Sequence, residues 1–303
     1  MKPVILDVDT GIDDALAIFY ALHSPELDVI GLTTCFGNNT IEKTTRNTLV
    51  IVEMAGKSVP VYKGADQPLN RETRHIPTHV HGDDGLGNCP IPEPSREAED
   101  EHAVDFIIRQ VKERPNEITL IPVGPLTNLA QAIEKAPEII PLFKEVIIMG
   151  GAVFVPGNVT PHSEANIYTD PEAAALVFAS GLPITVVGLD VTMKTLLPQT
   201  VLADWQEKGT EESRFFADMT HYYMQAYETF LPGIGGCALH DPLAVGVAVN
   251  PDFVRKESWH VKVILEGEET GKTVASPAGE PKVQVCTDVQ AETFLDHFLG
   301  RVL

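Results

Sequence analysis

The chain predicts an α/β fold: a single domain with a mainly parallel, Rossmann-like central sheet flanked by helices. Three observations carry this expectation. The 303 residues are 44% hydrophobic, enough to build one large core. Short apolar runs alternate with segments of helical periodicity, the pattern of right-handed βαβ units. No internal repeat or linker-like stretch divides the sequence, so residues 1–303 read as one domain.

The elements follow in order. Val4 to Asp7 is a short apolar run, read as a buried strand. Ala15, Ile18, Phe19 and Leu22 then fall on one helical face, and Pro25 ends that helix. "LDVIGLTTC" gives a second strand, a helix runs from about Thr40 to Ala55, and "VPVYKG" gives a third strand. Helix and strand continue to alternate through "HAVDFIIRQVKE", "ITLIPVG", "TNLAQAIEKAP", "EVIIMGG", "DPEAAALVFASG" and "PITVVGLDVT". Two stretches break the rhythm. His75 to Ser95 is rich in glycine, proline and histidine: either a surface connection or a lid over a site, placed at about 75–95. The second, an aromatic-rich helix and glycine-rich loop at about 213–240, leads to His240-Asp241 at the head of an apolar helix. Beyond Pro251, "WHVKVILEG" and "KVQVCTDV" read as a peripheral hairpin.

Composition removes several classes of partner. A net charge of −21 argues against a nucleic acid or an anionic membrane, both of which need a basic surface. Cys35, Cys89, Cys237 and Cys286 are scattered without a CxxC pair, as expected of reduced thiols in a cytoplasmic protein. The N-terminal residues show no signal-peptide pattern, and no apolar run approaches membrane-spanning length.

The chemistry concentrates in "ILDVDTGIDDALA", which sets Asp7, Asp9, Asp13 and Asp14 about a strand–turn–helix junction. Ligands in parallel sheets gather at the carboxyl ends of strands, where Asn38, Val123 and Met149 would join these aspartates. One or two of the carboxylates could cap the helix. Four converging carboxylates call for solvation or for a hard cation such as Ca²⁺ or Mg²⁺, which takes oxygen ligands. The spacing is not that of an EF-hand, because the twelfth loop position is Ile18 rather than glutamate. A phosphotransfer site of the haloacid-dehalogenase type also begins with D-x-D. That family has Thr or Val where Gly11 stands, and its late lysine and acidic pair find no match here.

"DVDTGIDDALA" resembles the N-terminal signature of the nucleoside hydrolases, D-x-D-P-G-x-D-D-A. The likeness continues in order through "TTCFGNNT", "VHGDDGLG", "IPVGPLTNLA", "VIIMGGA", "GNVTPHSEANIYTDPEAA", "VGLDVT" and "LHDPLAV". Thr10 departs from the usual proline, and Ser276 stands where aspartate is common.

The resemblance implies Ca²⁺-dependent hydrolysis of the N-glycosidic bond of ribonucleosides, in nucleoside salvage. It implies one Ca²⁺ per chain, held by Asp9, Asp14, the Val123 carbonyl and Asp241, with ribose hydroxyls and water completing the shell. Asp9 would also accept the proton of the attacking water, and His240 would protonate the leaving base. Asp13, Asn158, Glu164 and Asn166 match ribose-binding positions, Met149 packs beside the sugar, and Asp7 supports the cluster from behind. Asn38 would touch ribose or base, and His81 would contact the base or deliver a proton. Tyr223, Gln225 and Tyr227 lie on one aromatic segment that would contact the substrate; Tyr223 and Tyr227 can share one helical face for stacking on the base, though spacings of two and four cannot put all three on it. The family forms homodimers or homotetramers, and purine and pyrimidine preference both remain open. A non-catalytic nucleoside-binding protein on the same scaffold is the alternative, disfavoured by the intact Asp9, Asp14, Asp241 and His240.

Overall fold

The computed structural model describes residues 1–72 and 76–303, so His75, the start of the expected lid, lies outside the described residues. β1 (Lys2–Val8) is buried from Val4 onward on both faces. A turn at Thr10–Gly11 leads into α1 (Ile12–Leu22), which is buried from Ile12 to Ala21 rather than along one stripe. Next come β2 (Leu27–Thr34), α2 (Ile41–Met54), β3 (Val61–Lys63) and a one-turn helix, α3 (Thr78–His81), inside the expected lid. Alternation resumes with α4 (Ala103–Glu113), β4 (Thr119–Pro122), α5 (Thr127–Lys135), β5 (Glu145–Met149), α6 (Ala165–Thr169), α7 (Pro171–Ala179) and β6 (Ile184–Val187).

The expected strand "PITVVGLDVT" stops at Val187. Its neighbour β5 ends at Met149, opposite Val187, so the ladder has no further partner. The chain instead winds into α8 (Leu189–Thr192), with Val191 and Thr192 N–H groups bonded to the Gly188 carbonyl. β7 (Leu196–Pro198), α9 (Val201–Lys208), the long aromatic α10 (Glu211–Phe230), β8 (Gly236–Ala238) and α11 (His240–Val249) follow. The last elements are β9 (Val254–Val263), β10 (Thr273–Ser276), β11 (Val283–Val289) and α12 (Ala291–Leu299).

Nine strands make one sheet in the order β10-β9-β11-β6-β5-β4-β1-β2-β3. Strands β1 to β6 pair in parallel, and β11 joins β6 in parallel before turning antiparallel to β9. The last runs are therefore the continuation of the main sheet, not a peripheral hairpin. β1 lies third from the β3 edge and shows the period of two: Val4, Leu6 and Val8 face one core layer with α1 and α11, while Ile5 faces the other with α4, α5 and α7. Among the described residues no helix is long and apolar enough to cross a membrane, and all four cysteines are free.

Candidate active site

The crevice is built where β1, β2, β4 and β5 end and α1 and α11 begin. Asp7 lies inside β1 and is fully buried below the opening. Its Oδ1 accepts bonds from the Thr33 hydroxyl at 2.6 Å and the Asn128 amide at 2.7 Å. Burial nevertheless lifts its carboxyl to about 6. One step along, Asp9 Oδ2 accepts the Asn38 backbone N–H at 2.8 Å. A Cβ at Gly37 or Gly124 would collide with this carboxylate, and Gly37 also holds a φ of 153°.

Asp14, in the first turn of α1, is a cap as well as a potential ligand. Its Oδ1 accepts the Asp9 N–H at 3.1 Å and its Oδ2 the Gly11 N–H at 2.9 Å. The Asn38 amide donates to the same Oδ2 at 3.0 Å. Asp13 receives the Tyr223 hydroxyl at 3.3 Å, and Asp241 approaches from the first turn of α11. Oxygens of Asp13, Asp14 and Asp241 lie within 4.8 Å of one another.

Burial comes first and mutual repulsion second in lifting Asp9, Asp13 and Asp241 above the usual carboxylate range. Asp14 is raised chiefly by burial, against the bonds it accepts. Asp9 Oδ1 and Asp13 Oδ1 are buried and meet no hydrogen-bond donor among the described residues. Three converging buried carboxylates, Asp13, Asp14 and Asp241, with orphaned oxygens on Asp13 and on the neighbouring Asp9, fit a hard divalent cation; Asp9, expected as a ligand, is not itself among the three that converge.

The far wall carries the remaining polar groups. Val123 donates its N–H to the Asp7 carbonyl at 2.8 Å, while its own carbonyl accepts the Asn166 amide at 2.7 Å. The same amide reaches the Met149 carbonyl at 3.2 Å. Glu164 caps α6 by accepting the N–H groups of Asn166 and Ile167, and also that of Gly151 at 2.9 Å. Asn158 is exposed and accepts the Ala165 N–H at 3.0 Å, so it shapes the loop rather than joining the buried cluster. Gln225 is likewise exposed, bonded to His221 on the outer face of α10. Gln225, expected among the substrate contacts, therefore lies away from the buried groups, because a residue two positions from Tyr223 falls on another face of α10.

Two histidines close the other side. His81 is buried on α3, stacks on Tyr223 with ring centroids 5.5 Å apart, and accepts the Ile12 N–H on Nδ1 at 3.1 Å. That amide is one of the otherwise unpaired groups at the head of α1. An accepting Nδ1 leaves Nε2–H as the free donor of the neutral ring. His240 is buried with both nitrogens engaged: Nδ1 with the Thr192 hydroxyl at 2.7 Å and Nε2 with the Tyr227 hydroxyl at 2.6 Å. Burial lowers His81 to about 3 and His240 to about 4, so both rings are neutral at pH 7.

Only part of the expected lid is loose at its surface. Leu86 is fully buried in the main core. Asn39 and Lys43 donate to the Asp83 carbonyl, and Asn47 to the Asp84 carbonyl. The fastened half begins at Gly82, whose φ of 81° suits glycine; α3, just before it, overhangs the crevice.

Sequence reasoning missed Thr33, Asn128, Asn47 and Thr192. None carries a local signal: each acts on a partner far along the chain, as Thr192 does on His240 at a separation of 48 residues.

Comparison with known proteins agrees with this geometry. The family model described as inosine-uridine preferring nucleoside hydrolase matches residues 4–296. The chain is 40% identical over 274 residues to uridine nucleosidase 1 of Arabidopsis thaliana, covering 90% of this chain and 81% of the relative. It is 38% identical over 304 residues to a pyrimidine-specific ribonucleoside hydrolase of Escherichia coli O157:H7, covering 99% and 96%. Among solved structures, a purine-preferring ribonucleoside hydrolase from Gardnerella vaginalis superposes with a TM-score of 0.96 at 44% identity, over 99% of this chain and 98% of that one.

Proposed function

Since the chain belongs to the inosine-uridine preferring nucleoside hydrolase family and is a ribonucleoside hydrolase, we propose that it cleaves the N-glycosidic bond with Asp9 as base, His240 as acid and one Ca²⁺ in the aspartate cluster, serving nucleoside salvage. When bound to Asp9, Asp14, Asp241 and the Val123 carbonyl, Ca²⁺ would offset the carboxylate charge and hold water and the ribose hydroxyls. The observation that carries the reading is the set of buried, unrelieved carboxylates, two of them with orphaned oxygens.

The chain's own groups then do the following. Asp9 takes a proton from water as the water oxygen bonds to ribose C1′. The C1′–N bond breaks, its electron pair departs with the base, and the base gains a proton through the Tyr227–His240 pair. Burial favours the neutral ring, so His240 first takes a proton from solvent; the imidazolium then passes its Nε2 proton to Tyr227 as the Tyr227 proton moves to the departing base, and the ring returns to neutral. Asn166 and Glu164 orient the sugar from the far wall, with Met149 beside it and Asp13 and Asn38 on the near wall. Tyr223 offers a flat face to the base. His81, with Nδ1 committed to Ile12, presents Nε2–H as a donor to the base.

Asp9→Asn tests the assignment. It removes the proton acceptor while keeping the side chain's size, and kcat on uridine and inosine should fall by at least ~10²-fold, the usual worth of a positioned base. Circular dichroism should show an unchanged fold. Wild-type kcat in this variant would end the assignment.

A further inference from the structure

The short helix α8 touches both halves of the crevice. At its head, Leu189 donates its N–H to the Gly151 carbonyl at 2.9 Å. Asp190, also buried, accepts the N–H of Phe154 on Oδ1 at 2.8 Å and that of Val153 on Oδ2 at 3.0 Å. These bonds lock α8 to the turn after β5, the same turn that Glu164 grips through Gly151. At its tail, Thr192 is fully buried and sets Oγ1 2.7 Å from His240 Nδ1. The strand-to-helix break at Gly188 is what places a threonine there: a continued strand would carry these residues along the sheet.

We propose that Thr192 is a positioning residue for protonation of the leaving base: its hydroxyl accepts Nδ1–H of His240 and so reserves Nε2 for exchange with Tyr227. The inference rests on the reading of His240 as the acid. An imidazole can trade a proton at either nitrogen, and only one of them faces Tyr227. When the ring is charged both nitrogens donate, and in a buried pocket each N–H needs an acceptor. Thr192 supplies one at Nδ1, and Tyr227 supplies the other while its own proton goes to the base. Because α8 is tied down at Gly151, Val153 and Phe154, Thr192 is held in place and fixes the ring rather than following it.

The experiment compares Thr192→Val, which keeps the shape and deletes the hydroxyl, with Thr192→Ala, Thr192→Ser and His240→Ala. Each is assayed on uridine, inosine and p-nitrophenyl riboside, whose nitrophenolate departs without a proton. The Val and Ala variants should lose at least ~10-fold in kcat on both nucleosides, with KM and the nitrophenyl riboside rate within about twofold of wild type. Thr192→Ser should restore most of the nucleoside rate. Equal losses on all three substrates would mean general damage and overturn the inference, and wild-type nucleoside rates in Val or Ala would do so directly. His240→Ala separates the two readings. A loss not selective for nucleosides there removes His240 as the acid. A selective loss there beside wild-type Thr192 variants removes Thr192 alone.

Discussion

Removing divalent cations should make this protein more stable in mild acid than near neutrality, the reverse of the usual trend. Asp7 gives the scale. Its carboxyl is lifted from 3.8 to about 6 by burial, and ionising it in the folded state costs about 3 kcal/mol at ~1.36 kcal/mol per pH unit. A raised carboxyl contributes stability that is complete below its unfolded pKa and is lost as pH rises through its folded one, here between about pH 4 and pH 6. Asp9, Asp13, Asp14 and Asp241 are shifted in the same direction and add to the effect. Exposed carboxylates such as Glu26, Glu42 and Glu53 have lowered values and the opposite sign, but solvent screening leaves them little weight. Between about pH 7.5 and pH 5, Asp7 alone stabilises the chelated protein by roughly 1.4 kcal/mol. For a chain of this size that is about 2 °C in Tm. On the proposed reading Ca²⁺ would bind the ionised cluster, and it should stabilise the protein most at the higher pH, by about 4 kcal/mol when free ion exceeds Kd by ~10³-fold. Thermal melts in EDTA and in Ca²⁺ at both pH values measure all of this. A chelated protein whose Tm falls on acidification, together with no gain from Ca²⁺ near neutrality, would refute the reading of the cluster as strained and cation-seeking.

Two other outcomes follow from the same geometry. Uridine should exceed 2′-deoxyuridine in kcat/KM by at least ~10²-fold, because a site built for a hydroxyl is left with unpaired polar groups when it is missing; equal values would remove the 2′-hydroxyl from the model. Leu86→Ala should destabilise the protein by about 2–5 kcal/mol in denaturant melts, the usual cost of a core cavity, since Leu86 anchors the fastened half of the lid in the core; a change within ~0.5 kcal/mol, as for surface sites, would show that this half moves freely.

The parallel sheet was legible because its strands are buried on both faces and its helices have their own period, which separates the two even without partners. What was not legible is where ladders end. "PITVVGLDVT" is apolar throughout, and only the length of β5 beside it explains why the strand stops at Val187. The same holds for β9 and β11: their composition announces strands, but the parallel seat of β11 on β6 is a contact of residues about a hundred positions apart. The lid illustrates the converse. Glycine, proline and histidine mark residues 75–95 as a loop, while the anchoring depends on one apolar side chain, Leu86, and on the side-chain amides of Asn39 and Asn47, which bond to carbonyls. Carbonyl acceptors have no sequence signature.

Within the site, legibility divides along the substrate. The carboxylate half was readable because Asp7, Asp9, Asp13 and Asp14 lie within one strand–turn–helix junction, where local geometry forces them together. The base half is assembled from α3, α10 and the start of α11, which meet only in the folded chain. A helical face paired Tyr223 with Tyr227, but it did not stop Gln225, which lies exposed beside His221, from being expected among the substrate contacts, and it could not say that Tyr227 meets His240 or that His81 gives its Nδ1 to Ile12. That commitment of Nδ1 bears on base choice. A fixed Nε2–H reads an acceptor, and pyrimidines offer O2 and purines N3 beside the glycosidic nitrogen. The His81 donor is therefore compatible with both classes named among the relatives. On the proposed reading of His81, discrimination between them would fall to the packing of α3 against α10. The Tyr222 hydroxyl meets the Thr78 carbonyl at 3.2 Å, and His79 stands edge-on to Phe230 at 5.5 Å. Such contacts can shift by a side chain's width while every carboxylate of the ribose half stays where it is.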